Sequence, residues 1–249
     1  MTPCSDMKGE PYYRPDLARI HHLGFSFHAK ECAPGILDLL EPVGVVDGLV
    51  VELGCGSGLL TRYLVDAGHR VMATDASPAM LDLARETVPD ALSIQRLTLP
   101  DDPIPQADAI VSVGHALSYL PSEEAINRSL ISIAGALRPG GVLAIDICDL
   151  AWGRVRRGSK SVGWVGEDWG LVTRFPFEGE DRYIREMTTF TRSPDGSYRR
   201  DDERHDNVLI DTAQIPSLLS EHGVDAQVRS TFGAEPLAEG LVAIVGTKH

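Results

Sequence analysis

Residues Leu49–Glu86 read LVVELGCGSGLLTRYLVDAGHRVMATDASPAMLDLARE, and the reading of this stretch decides the fold. It opens on an apolar run, Leu49 to Val51, that predicts a buried parallel strand. Gly54, Gly56 and Gly58 then alternate through a tight turn. Glycine there admits positive φ and lets a ligand approach the main chain with no Cβ in the way. Leu59, Leu60, Tyr63 and Leu64 recur at helical spacing, so the turn opens into a helix whose first N–H groups face the ligand, and Gly68 ends it. Arg70 to Thr74 predicts a second strand with Asp75 at its end. Strand, glycine turn, helix, strand and acid in this order form a unit that binds an adenosine-type cofactor, the acid taking the ribose hydroxyls.

The glycine spacing selects among such cofactors. A nicotinamide-binding turn reads G-x-G-x-x-G, whereas this chain has Glu52-Leu-Gly54-Cys-Gly56-Ser-Gly58, with the third glycine one residue early. No diphosphate cradle is implied, and an acid beside the turn suits a ligand that carries cations. Here the sequence resembles the class I S-adenosylmethionine-dependent methyltransferases, whose first motif is E/D-x-G-x-G-x-G with an acid after the second strand. Asp75-Ala-Ser-Pro-Ala-Met80 is similar to that family's D-x-S-x-x-M segment, and Leu137-Arg-Pro-Gly-Gly to its L-x-P-G-G turn before strand five. The resemblance is specific from about Leu37 to Asp149 and covers the remainder in general layout.

What the resemblance implies is an α/β fold: a Rossmann-like, doubly wound, seven-stranded sheet with an antiparallel last strand. The cofactor is S-adenosyl-L-methionine, leaving as S-adenosyl-L-homocysteine. Its expected site comprises Tyr13, Glu52, Gly54, Cys55, Gly56, Gly58, Asp75, Ala76, Met80, Leu97, Thr98 and Val113. Family members commonly carry an acid after strand three, where the adenine amino group is read; Leu97 and Thr98 stand there in this chain, with Asp101, Asp102 or backbone groups as alternatives.

The 249 residues suffice for one α/β domain with an insertion or for two small domains. A net charge of −13 argues against nonspecific binding to nucleic acid or anionic membranes. No apolar run approaches a membrane span, and the first residues lack a secretion signal, so a cytoplasmic location is expected. Cys4, Cys32, Cys55 and Cys148 are widely spaced, as reduced thiols are, and give no metal site.

The first dozen residues have a disordered composition. Residues 15–41 carry helical periodicity, and in resembling proteins such N-terminal helices fold over the cofactor. Tyr12, Tyr13, His21, His22, Phe25 and Phe27 supply an aromatic set for such a lid, with core packing and helix capping as the alternative roles. The division expected is a lid at 1–36, a cofactor-binding core at 37–150, a substrate cap at 151–207 and a closing helix with strands at 208–249.

The strand Asp108–Val113 ends in Gly114-His115, and ligands in open α/β sheets lie beyond such strand ends. His115 is therefore the first catalytic candidate, as a proton acceptor or as a substrate contact. Tyr119 and Asp146 are placed beside it as substrate residues. After Asp149 the pattern changes to alternating runs with a hairpin turn at Pro194-Asp-Gly196, which predicts a small antiparallel β cap inserted after strand five. Residues 151–205 hold 11 Lys or Arg against 10 Asp or Glu, whereas acids dominate the rest. Arg154, Arg156, Arg157 and Lys160 are read as an anion-binding cluster or a solvated loop. Trp152, Trp164 and Arg204 complete the expected acceptor site, and His205 is the second catalytic candidate.

These readings lead to N- or O-methylation of a small metabolite by in-line displacement, by a protein compatible with a homodimer. A protein or tRNA acceptor, a noncatalytic cofactor-binding module and a nicotinamide enzyme remain as alternatives.

Overall fold

The computed structural model describes residues 12–41 and 48–249; the expectations for residues 1–11 and for Cys4 lie outside them. The helical periodicity at the start resolves into two helices, α1 (Pro15–Gly24) and α2 (Phe27–Leu40), broken at Phe25–Ser26. β1 (Leu49–Leu53) leads through the glycine turn into α3 (Leu59–Asp66), then β2 (Arg70–Asp75), α4 (Pro78–Thr87), β3 (Ser93–Arg96) and β4 (Ala107–Ser112). α4 starts where its residues dictate: Ser77 accepts the Met80 amide at 3.2 Å and Pro78 occupies the first turn. α5 (Glu123–Ala136) follows a Ser122 cap with two acids in its first turn, complementing the helix dipole. β5 (Leu137–Cys148) then runs through the centre of the sheet.

Past β5 comes a helix the alternation had hidden, α6 (Leu150–Arg156), capped by Asp149, whose carboxylate accepts the Ala151 amide at 2.8 Å. Strands β6 (Val162–Val165), β7 (Trp169–Arg174), β8 (Arg182–Arg192) and β9 (Tyr198–Val208) form a separate antiparallel sheet in that order. Their register sets Arg185 opposite His205 and Glu186 opposite Arg204. A short 3-10 turn, Thr212–Gln214, and α7 (Ile215–Glu221) return the chain to the core, closed by β10 (Val224–Arg229) and β11 (Leu241–Lys248).

The large sheet has the order β10-β11-β5-β4-β1-β2-β3. β11 is antiparallel to both of its neighbours, and the remaining pairs are parallel, as expected. Alternation along the strands divides the core. Val50, Val71 and Ala109 pack under α2 and α3, while Val51, Leu53 and Ile110 pack under α5 and α7. Helices on both faces leave the carboxyl ends of β1, β2 and β4 as the open crevice, and both insertions lie over it.

Candidate active site

A cavity of about 430 Å³ occupies that crevice. Its floor is the glycine turn. Gly54 sits at φ +69°, and a Cβ there would come within 2.4 Å of the Ala116 Cβ, so only glycine fits. Asp75 stitches the turn together: one carboxylate oxygen accepts the Gly56 amide at 2.9 Å and the other the Ser77 amide at 2.8 Å. Burial raises its pKa, against the pull of the Ser77, Gly56 and Ala76 amides. Glu52 is 2% exposed and accepts the Thr61 hydroxyl at 2.6 Å; burial pushes its carboxyl up to about 8, opposed by that hydrogen bond.

The roof comes from the N-terminal segment. Tyr13 holds a left-handed φ of 59° and is pinned from two sides. Its carbonyl accepts the Ser77 hydroxyl at 2.8 Å, and its amide and that of Arg14 donate to Glu203 of β9 at 2.9 and 2.8 Å. Thus one loop ties the helix that carries Met80 to the cap sheet. Of the expected lid aromatics, Tyr12, Tyr13, His21 and Phe25 line the cavity. Phe27 is 56% exposed, and His22 instead shares a 2.9 Å hydrogen bond with Ser57.

All of the expected cofactor residues line the cavity except Gly58. Gly58 starts α3 at φ +82° and packs against Val88 and Ala84, which makes it a helix-start residue. Leu97, Leu99 and Met80 form an apolar wall. Asp102 turns away from it to accept the Thr98 amide at 2.7 Å, and Asp101 pairs with Arg128, so neither replaces the acid missing after strand three.

The acceptor expectations fare differently. Tyr119 lines the cavity, whereas His115, one layer behind, stacks on the Tyr119 ring at 5.5 Å. Burial, and then the Arg185 charge, push His115 down to about 3. Asp146, fully buried, accepts the Gly114 amide at 2.9 Å and the His115 amide, so it orders this loop. Trp152 lies 5.8 Å from His115, under the Arg156 guanidinium.

Three placements correct the sequence reading. Arg204 faces outward, paired with Glu178 and Glu186, because neighbouring residues on a strand point to opposite faces. His205, which shares the inner face, is wholly buried, bonded to Glu203 at 3.0 Å and held neutral by burial and then by Arg185. Trp164 sits on the edge strand of the cap, 38% exposed, and supports Phe25 edge-on at 5.4 Å. Two residues of the basic cluster are likewise occupied: Arg156 donates to the Glu239 carbonyl at 2.8 Å, and Arg157 pairs with Glu180.

Two residues had escaped notice. His28 lines the cavity and contacts Asp146 at 2.8 Å; burial opposes its charge, but the Asp146 hydrogen bond prevails and raises it to about 10. Arg185 projects from β8 toward Tyr119. No group of three or more metal-ligating side chains occurs among the described residues, and no described helix is long and apolar enough to cross a membrane.

Residues 50–141 match the family described as methyltransferase domain. A trans-aconitate 2-methyltransferase of Variovorax paradoxus (strain S110) is 40% identical over 105 residues, 40% of this chain and 38% of that protein. An uncharacterized methyltransferase of Mycobacterium tuberculosis (strain ATCC 25618 / H37Rv) is 32% identical over 145 residues, 57% of this chain and 52% of the other. The similarity thus spans about two fifths to a half of these relatives. Among solved structures, the sugar N-methyltransferase KedS8 from Streptoalloteichus sp ATCC 53650 superposes with a TM-score of 0.77 at 18% identity, covering 100% of this chain and 99% of that one. A methyltransferase from Clostridium acetobutylicum ATCC 824 gives 0.76 at 18% identity, over 93% and 97%. At such identity the likeness is one of fold. Residues 50–141 thus match a methyltransferase domain, and the chain as a whole shares its fold with solved methyltransferases.

Proposed function

We propose that the protein transfers the methyl group of S-adenosylmethionine to an N or O atom of a small molecule. The observation that carries this reading is a cavity whose floor holds two carboxylates, buried Glu52 and half-buried Asp75, and whose roof is an aromatic lid tied to both the core and the cap. The residues fit the cofactor. Glu52 would offset its ammonium group, Asp75 would take the ribose hydroxyls, and Met80, Leu97 and Leu99 would pack on the purine. The His28 imidazolium is suited to its carboxylate.

When bound, the cofactor supplies a methyl group already made electrophilic by sulfonium. What remains for the chain is to align the acceptor, exclude water and receive any proton released. Alignment alone is worth up to about 7–11 kcal/mol, so a strong base is not required. His115, buried and neutral, is a poor proton acceptor near neutrality; we assign it the positioning of Tyr119, on which it stacks. His205 supports the lid rings of Tyr12 and Tyr13, each 4.8 Å away. In this reading residues 1–36 serve as lid and 151–207 as acceptor cap. A roof of four aromatic side chains supports a small acceptor over a macromolecular one. The Variovorax relative is named for trans-aconitate and KedS8 for a sugar nitrogen, so both oxygen and nitrogen acceptors stay within the proposal.

The test is calorimetric titration of S-adenosylmethionine and S-adenosylhomocysteine, followed by incubation with a small-molecule extract and mass spectrometry for methylated products. Binding with a new methylated small molecule supports the reading; failure of both forms to bind overturns it.

A further inference from the structure

Behind Tyr119 lies a cluster of polar side chains that the cofactor does not account for. At its centre is Arg185, reached from β8 on the inner face of the cap sheet and paired in register with His205. Its Nη2 donates to the Tyr119 hydroxyl and to the Asn207 side-chain oxygen at 3.2 Å. The Tyr119 and Tyr183 rings lie 5.8 and 5.9 Å from the guanidinium carbon. No carboxylate of the described residues pairs with it. Glu203, the acid nearest in the sheet, is engaged by the Tyr13 and Arg14 amides and by His205. A crowded guanidinium without a counter-charge is costly, because an uncompensated buried ion loses its hydration.

The same cluster gathers polar atoms that have no partner. Nine buried side-chain nitrogen or oxygen atoms lack a hydrogen-bond partner among the described residues. Five of them belong to this cluster: Arg185 Nε, Asn207 Nδ2, Trp152 Nε1, His115 Nδ1 and His205 Nδ1. Buried polar groups are nearly always satisfied, so such a concentration marks a place where a polar partner is missing. His115, Tyr119 and Trp152 form a continuous set, with ring centroids 5.5 and 5.8 Å apart, and Tyr119 also lines the cofactor cavity.

We propose that this cluster borders the acceptor subsite beside Tyr119 and that Arg185 anchors a carboxylate of the acceptor, with the Asn207 amide and the Trp152 indole N–H as neutral donors. The proposal rests on the methyltransferase reading and adds the substrate class: a small molecule bearing a carboxylate. The tyrosine hydroxyls around Arg185 outweigh burial and keep it charged.

Acetate and its neutral isostere acetamide are the probes, titrated into the protein with and without S-adenosylhomocysteine and followed by calorimetry. Saturable acetate binding at least tenfold tighter than acetamide binding is expected in the wild type. It should weaken at least tenfold in Arg185→Gln and be partly restored in Arg185→Lys, with S-adenosylhomocysteine affinity unchanged within about twofold. Equal binding of acetate and acetamide, or full acetate binding by Arg185→Gln, would overturn the proposal. Should Arg185→Gln fail to fold, the acetate–acetamide comparison in the wild type decides. If wild-type protein bound acetate selectively but not S-adenosylhomocysteine, the methyltransferase reading would fall, and the acceptor role with it.

Discussion

Glu52 and Asp75 on the floor of the cavity, and Arg185 and Asn207 behind Tyr119, are polar groups handled in opposite ways. The two acids are bonded to their own surroundings, Glu52 by Thr61 and Asp75 by two backbone amides. Arg185 and Asn207 retain unused donors. A self-satisfied wall keeps its shape before any ligand arrives, which suits a cofactor that is the same in every turnover. A wall with donors left over discriminates, because it is complete only when the right group enters. Cofactor and acceptor recognition should therefore be separable by mutation.

The largest effect is expected at the floor. Gly54→Val forces a Cβ against Ala116 and a branched residue into left-handed φ, and should lower S-adenosylhomocysteine affinity by more than ~100-fold. Circular dichroism would establish that the fold survives; an affinity near wild type would show that the turn yields more easily than its geometry implies.

Next comes Glu52→Gln, with an expected loss of ~10–100-fold in S-adenosylhomocysteine affinity, the range of a hydrogen bond to a charged group. It also has a pH signature. The Glu52 carboxyl titrates at about 8 in the fold, above its ordinary range. Its contribution to stability is thus full at acid pH and is lost as pH rises through about 8. The variant should flatten that part of the melting profile, and an unchanged slope would exclude Glu52 as its source.

Tyr119→Phe removes the hydroxyl shared by Tyr13, at 2.9 Å, and Arg185. Acceptor KM should rise ~10-fold while S-adenosylhomocysteine binding moves less than twofold. If both changed together, the two walls would be one unit.

The smallest effect concerns the tie between roof and cap. Glu203→Gln weakens the acceptor for the Tyr13 and Arg14 amides, by ~1 kcal/mol, and should speed their hydrogen exchange ~5-fold without altering exchange in β1 or β4.

The same contrast governs what could be read from the sequence. The cofactor wall is written in one contiguous stretch, Glu52 to Met80, where spacing alone sets the turn, the cap at Ser77 and the acid at Asp75. The acceptor wall draws on α6, β8, β9 and the 3-10 turn at Ala116–Tyr119, far apart in the chain. On β9 the reading chose both Arg204 and His205, yet adjacent strand residues cannot share a face, and composition does not reveal which face is inner when both are polar. Arg185 was hidden for that reason: RYIREMTTFTR alternates without telling its sides apart. α6 was obscured by its glycine and arginines, although Asp149 before Leu150-Ala-Trp was a usable cap signal. His28 could not be recognised as a cation because its partner, Asp146, lies 118 residues away.

The insertion of β11 between β5 and β10 has a consequence for how the chain is made. Seven register pairs join β11 to β5, and the strand that fills this gap is the last in chain order. On a ribosome, the nascent β5 must wait through the emergence of the whole cap, α7 and β10 with one edge unpaired. A waiting edge invites pairing with other chains. The wait ends only when residues 241–247 emerge and pair with β5.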